Sequence, residues 1–186
     1  MIVKFIKNGE QHDYLRGLPQ HPVRLIYGIR VHFVGERTIH VEEKGNWFDL
    51  KTAEDVSLRP GDYRKISLGL SMALPKGYEA ILAPRSSTFE KYGILQVNSI
   101  GVIDNSYSGT NDIWKMAVYA TRQVEIPKGT RIAQFRIIPS MGQELSLIRN
   151  GVTIDASIKD IGEPITFFIE CDELGEDRGG FGSTGN

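Results

Sequence analysis

Cysteine is nearly absent from this 186-residue chain: Cys171 stands alone, which excludes an internal disulfide and favours a reducing compartment. No apolar run reaches the roughly 18 residues of a membrane span, and residues 1–10 hold no signal-peptide core. The expectation is a soluble, cytoplasmic protein. An excess of one charge is missing too. Lys and Arg number 22 against 23 Asp and Glu, for a net charge of -1, so no bulk field recruits nucleic acid or a membrane. A polyanionic ligand must then be held by a few placed cations. His12, His21, His32 and His40 show no zinc-ligand spacing, and no Ser-His-Asp pattern stands out. Long helical stripes, internal repeats and flexible linkers are absent as well.

What the chain does have is punctuation. Gly (20) and Pro (8) recur at short intervals, and Pro60-Gly61, Pro75-Lys76-Gly77 and Pro127-Lys128-Gly129 each adjoin a β-like run. Ile66, Leu68, Leu70, Met72 and Leu74 alternate with mostly small or polar residues, the period-2 mark of a half-buried strand. Trp114, Met116 and Val118 repeat the pattern, as do Ala133, Phe135 and Ile137. Residues 87–92 suit a turn or two of helix. At 40% hydrophobic residues the chain can bury one domain's core. The expectation is a single all-β domain, a sandwich or barrel. Residues 1–27 precede the first strand of the main pattern, placed at 28–34. Residues 143–169 read as an insertion forming one extra hairpin from 145–149 and 165–169. Residues 173–186 are polar, glycine-rich and expected to be mobile.

Four constellations carry chemistry. In the tail, Arg178-Gly-Gly-Phe-Gly-Ser-Thr-Gly185, glycine N–H groups and the Ser183 and Thr184 hydroxyls suit an anion. Arg178 offers a fork for phosphate and Phe181 a face for a base. The same composition also reads as a loose end, or as one weak RGG-type RNA contact. Ala83-Pro-Arg-Ser-Ser-Thr88 sets Arg85 beside hydroxyls at a turn, for binding phosphate or only for capping a helix. Residues 96–109 place an apolar run between Asn-Ser and Ser-Gly clusters, as in a hairpin with Asp104 and Tyr107 near its tip. Asp104 there suits a general base and Tyr107 a sugar contact, or the segment is a turn that caps its own backbone. Gln134 in Gly129-Thr-Arg-Ile-Ala-Gln134 is a ligand donor or an outward polar residue.

Together with Asn46-Trp-Phe-Asp-Leu50, these four in order resemble the five motifs of the trimeric dUTPase family, over about residues 28–185. Residues 53–56 and 79–88 are similar to a bacterial and phage branch. The resemblance implies a jelly-roll-like β-barrel and Mg²⁺-assisted hydrolysis of dUTP to dUMP and pyrophosphate. It implies a homotrimer with each site built from three subunits. By its motifs, Asp104 activates water, Tyr107 lies under the deoxyribose, and Asn98 with Gly101, Val102 and Ile103 reads uracil. Arg85, Ser86, Ser87 and Gln134 fall on phosphate-binding positions. Arg178, Gly182, Ser183 and Thr184 clamp the γ-phosphate, Phe181 stacks on uracil, and Asp49 holds Mg²⁺ through water.

The sequence departs from the family at Asn46-Trp47, where Ala-Gly is usual, and at Ser87 and Ser108, where Gly and Arg are common. The tail is two residues shorter between Arg178 and Phe181 than the commoner form. A dCTP deaminase of the same fold is the nearest rival, but its catalytic glutamate has no counterpart in residues 113–118. The other rival is a nucleotide-gated interaction protein that meets a partner through residues 1–27 or 143–169.

Overall fold

The three Pro-Gly signals become tight turns, each with its glycine at positive φ (Gly61, Gly77 and Gly129). In a computed structural model describing residues 2–7, 26–41, 47–140 and 165–178, these turns join short strands. Among the described residues the chain begins β1 (Ile2–Lys7), β2 (Ile26–Phe33), β3 (Ile39–Val41), β4 (Phe48–Lys51) and β5 (Val56–Leu58). Next come β6 (Tyr63–Ser67), β7 (Leu70–Ala73), β8 (Tyr78–Pro84), the short helix α1 (Thr88–Tyr92) and β9 (Ile94–Gln96). It ends with β10 (Gly101–Ile103), β11 (Lys115–Ala120), β12 (Val124–Ile126), β13 (Arg131–Pro139) and β14 (Ile165–Glu170). The architecture is all-β and jelly-roll-like. Its sheets run β1-β14-β2-β7, β10-β8-β13-β4-β3, β6-β11-β9 and β12-β5.

The alternating run 66–74 is not one strand. It breaks at Gly69, leaving β6 and β7 in different sheets. Gly69 has φ 65°, and a Cβ there would lie 2.5 Å from the Ala53 Cβ, so neither the turn nor the packing admits a side chain. The alternation survives because Ile66, Leu68, Leu70, Met72 and Leu74 are all buried in one core. At its centre Phe48, Trp114, Phe135 and Phe168 pack with ring centroids 5.1 to 6.4 Å apart, mostly edge-on. Truncating one such ring to Ala costs about 3–5 kcal/mol.

Phe168 belongs to β14, which corrects the hairpin expected within 143–169. β14 lies between β1 and β2 and pairs in parallel with both, Phe168 opposite Phe5 and Ile29. With both edges taken it has no edge left for 145–149, a segment outside the described residues. Residues 165–169 therefore belong to an inner strand of the sheet, and β1 makes part of the 1–27 extension integral to it.

Candidate active site

β4, β13 and β8 lie side by side, and their register puts Gln134 between Asp49 and Ala83. Asp49 is only 5% exposed, between buried Phe48 and Leu50. A carboxylate withdrawn from water in this way needs charged partners. It has two: Arg85 Nε lies 2.9 Å and Arg131 Nη1 3.1 Å from the same oxygen, Oδ2. His40 stands opposite it across β3–β4. Gln134 donates through Nε2 to the Pro84 carbonyl at 3.0 Å, beside Arg85.

Arg131 is the site residue that sequence reasoning left without a role. Three positions from Gln134, strict alternation would turn it to the other face. A bulge between Arg131 and Ala133 shifts the register against β4 and returns Arg131 to the Asp49 side. On the β8 edge of the same strand the Ile132 carbonyl accepts from the Arg85 N–H (3.3 Å) and the Thr88 hydroxyl (2.7 Å). Those two bonds fasten residues 85–88 to β13. Ser86 is exposed, and Ser87 precedes α1 but makes no side-chain cap, so its capping role is not realised.

The second half of the site is a turn. Residues 96–103 are not a paired hairpin: β9 pairs with β11 and β10 with β8, in different sheets. The bend between them holds Asn98, whose carbonyl accepts from the Ile100 N–H, and Ser99 at φ 57°. Val97, Ile100 and Val102 leave an apolar surface around it, Val102 being 61% exposed, while Gly101 and Ile103 are buried. Asp104 and Tyr107 lie beyond β10, away from that bend, and the Tyr107 N–H closes the turn on the Asp104 carbonyl at 3.0 Å. Asp104 Oδ1 accepts from the Ser106 hydroxyl (2.6 Å) and N–H (2.8 Å), so the turn does cap its own backbone. Arg178 Nη1 lies 3.7 Å from the same oxygen. The Ser106 hydroxyl bond, then its N–H bond, hold the Asp104 pKa below 3.8 against partial burial, with Arg178 adding least. Tyr107 packs its ring against the core and donates to the Ile113 carbonyl at 3.2 Å. Burial first, then Asp112 and Asp177, raise its pKa.

Residues 173–178, expected to be mobile, are bonded to the turn that follows Tyr107. The Leu174 N–H donates to the Thr110 hydroxyl, and Gly175 bridges Gly109. Phe181, Gly182, Ser183 and Thr184 lie outside the described residues. So do His12 and His21, while His32 and His40 are strand residues as expected.

Among the described residues no group of three or more His, Cys, Asp or Glu side chains is placed to hold a metal. Asp49, expected to hold Mg²⁺ through water, already carries two guanidinium groups on one oxygen, and two cations so close repel a third. The described residues do not by themselves fit the ion.

A dUTPase family model matches residues 42–156. The SPbeta prophage-derived deoxyuridine 5′-triphosphate nucleotidohydrolase of Bacillus subtilis is 41% identical over 160 residues, covering 84% of this chain and 97% of that protein. The deoxyuridine 5′-triphosphate nucleotidohydrolase of Thermobifida fusca is 34% identical, covering 74% and 65%. Among solved structures, the dUTPase of Streptococcus mutans shares the fold with a TM-score of 0.54 at 23% identity, covering 60% of this chain and 95% of that one. With the motif residues of β4, β8, β13 and the 104–107 turn in place, the family model and these relatives lead to one assignment: the chain belongs to the dUTPase family.

Proposed function

We propose that the protein hydrolyses dUTP to dUMP and pyrophosphate, limiting uracil entry into DNA. The observation that carries this reading is Asp104. It is ionised at neutral pH, and no described residue is bonded to its Oδ2, which leaves that oxygen to take a proton from water. The activated water attacks the α-phosphorus; an O–P bond forms as the bond to the β-phosphate bridging oxygen breaks, and pyrophosphate leaves. Arg85 and Arg131, held by Asp49, supply fixed positive charge for the phosphates, with Gln134 beside them. Tyr107 packs under the deoxyribose, and the Asn98 bend with the β10 backbone takes the uracil edge. Arg178, Gly182, Ser183 and Thr184 close on the γ-phosphate and Phe181 on the base. Mg²⁺ would be held chiefly by the triphosphate's own oxygens, where it would offset their negative charge.

The spacing of the two halves supports a homotrimer. Ile103 pairs with Ala80 on β8, so Asp104 stands near one end of that strand while Arg85 follows its other end. The register carries Asp104 on to Glu79, six residues from Arg85, which at a strand rise of about 3.3 Å is roughly 20 Å, too far for one triphosphate. A complete site then combines the turn of one chain with the arginine pair of another, and a closed ring satisfies every half. Pyrophosphate release from dUTP, dTTP, dCTP and UTP, side by side with Mg²⁺, tests the reading. The expected result is rapid release from dUTP alone; ammonia from dCTP would make the chain a deaminase, and binding without hydrolysis an interaction protein.

A further inference from the structure

The ladder between β8 and β13 runs out at Pro84, which lies opposite Ala133 and has no N–H to give. One residue on, the Arg85 N–H still reaches the Ile132 carbonyl, but at 3.3 Å that bond is long and weak. The tight bond to the same carbonyl comes from the Thr88 hydroxyl, at 2.7 Å. Thr88 is 1% exposed, so its hydroxyl has given up water for this acceptor. A valine would fill nearly the same space without that desolvation cost, so the bulk of the side chain does not account for the oxygen. The Thr88 N–H meanwhile donates to the Arg85 carbonyl at 3.0 Å and closes residues 85–88 into a turn. Asp49 ties the Arg85 Nε and Gln134 ties the Pro84 carbonyl. Between these ties stand Ser86, exposed, and Ser87, half-buried.

We infer that Thr88 is a positioning residue: its hydroxyl, fastened to β13, holds the 85–88 turn so that Arg85, Ser86 and Ser87 meet the pyrophosphate end of the substrate together. The inference rests on the proposed reading and adds one thing to it. The seat for the β- and γ-phosphates is built before substrate arrives, by a buried hydroxyl that does not touch the phosphates itself. Donors already held in place bind an anion without the cost of ordering them, and that gain is lost when the turn is left to the long Arg85 bond alone.

Inorganic pyrophosphate is the probe, titrated by calorimetry into the whole protein. Thr88→Val should weaken its binding about five- to tenfold, the reach of one well-made hydrogen bond. Binding of dUMP, which lacks those two phosphates, should stay at the parent level. The KM for dUTP should rise by a like factor, with kcat within about twofold of the parent. Thr88→Ser keeps the hydroxyl and should bind pyrophosphate as the parent does. Should Thr88→Val not fold, Thr88→Ala takes its place with the same expectations. Parent-like pyrophosphate binding in the valine variant overturns the inference, and so does a serine variant as weak as the valine one. Equal losses for dUMP and pyrophosphate overturn it too, because the hydroxyl then serves the fold at large. Arg85→Ala separates this inference from the reading beneath it. Weak pyrophosphate binding in Arg85→Ala beside parent-like binding in Thr88→Val removes Thr88 alone. If Arg85→Ala binds pyrophosphate like the parent, the phosphate seat itself falls and takes Thr88 with it.

Discussion

Asp49 and Asp104 are both aspartates of the candidate site, yet one is 5% exposed within β4 and the other stands in an open turn after β10. Asp49 gives its charge to two arginines across three strands, bonds that span much of the sequence. Asp104 bonds within three residues and faces Arg178. The first arrangement is rigid because sheet register fixes it; the second is local and stays accessible to water. A carboxylate that organises cations can be buried, whereas one that must take a proton from water cannot. Position, not residue type, divides the labour.

Removing the exposed carboxylate gives the largest effect. Asp104→Asn keeps the shape and accepts Ser106 but takes no proton, so turnover should fall by roughly 10²–10⁴ while dUTP still binds. Single-turnover hydrolysis and nucleotide binding measure the two separately; a variant retaining half its turnover would remove Asp104 as base. The buried carboxylate should instead act on stability. Asp49→Ala leaves two guanidinium groups facing each other, and because Arg85 and Arg131 keep a quarter to a third of their side-chain exposure the cost is discounted to about 2–3 kcal/mol. Denaturant melts should show that loss, and added pyrophosphate should restore more of it than it adds to the parent. Equal responses would mean the arginines are not an anion site.

The smallest effect is on titration. The Asp104 pKa is lowered, so its ionised form contributes stability above the unfolded value, and this is lost as pH falls through the folded one. Followed by carboxyl NMR, Ser106→Ala should move the midpoint up most, because the Ser106 hydroxyl is the largest cause, and Arg178→Ala should move it less. The reverse order would put the arginine in charge of the base.

These differences also explain what the sequence disclosed. Asp104, Tyr107, Arg85 and Gln134 sit in compact local patterns, and short-range chemistry is written in consecutive letters. The alternation of residues 66–74 marked the core correctly but could not show a sheet switch at Gly69, because both strands face the same interior. Arg131 lay inside a quoted motif, and only a bulge set by the pairing with β4 turns it towards Asp49. β14 reads as a strand on its own letters; that its partners are β1 and β2 is decided by segments far away in sequence. The bonds that hold residues 174–178 were missed for a like reason, since polar, glycine-rich composition describes a free tail and says nothing of its partners at 110–112.

The interleaving of β1, β14 and β2 sets a timetable for the nascent chain. Ile2 pairs with Ile165, and Ile165 with Ile26, so β1 cannot find its neighbour until β14, far later in the chain, leaves the ribosome. Domains assemble from the N-terminus during synthesis, and contacts so distant in sequence slow the final step. Until then β1 has no partner in the sheet and one edge of β2 stays open, an invitation to pairing between chains that are still being made. If the sites are completed by several copies, as proposed, the interval between synthesis and closure is when correct and incorrect encounters compete.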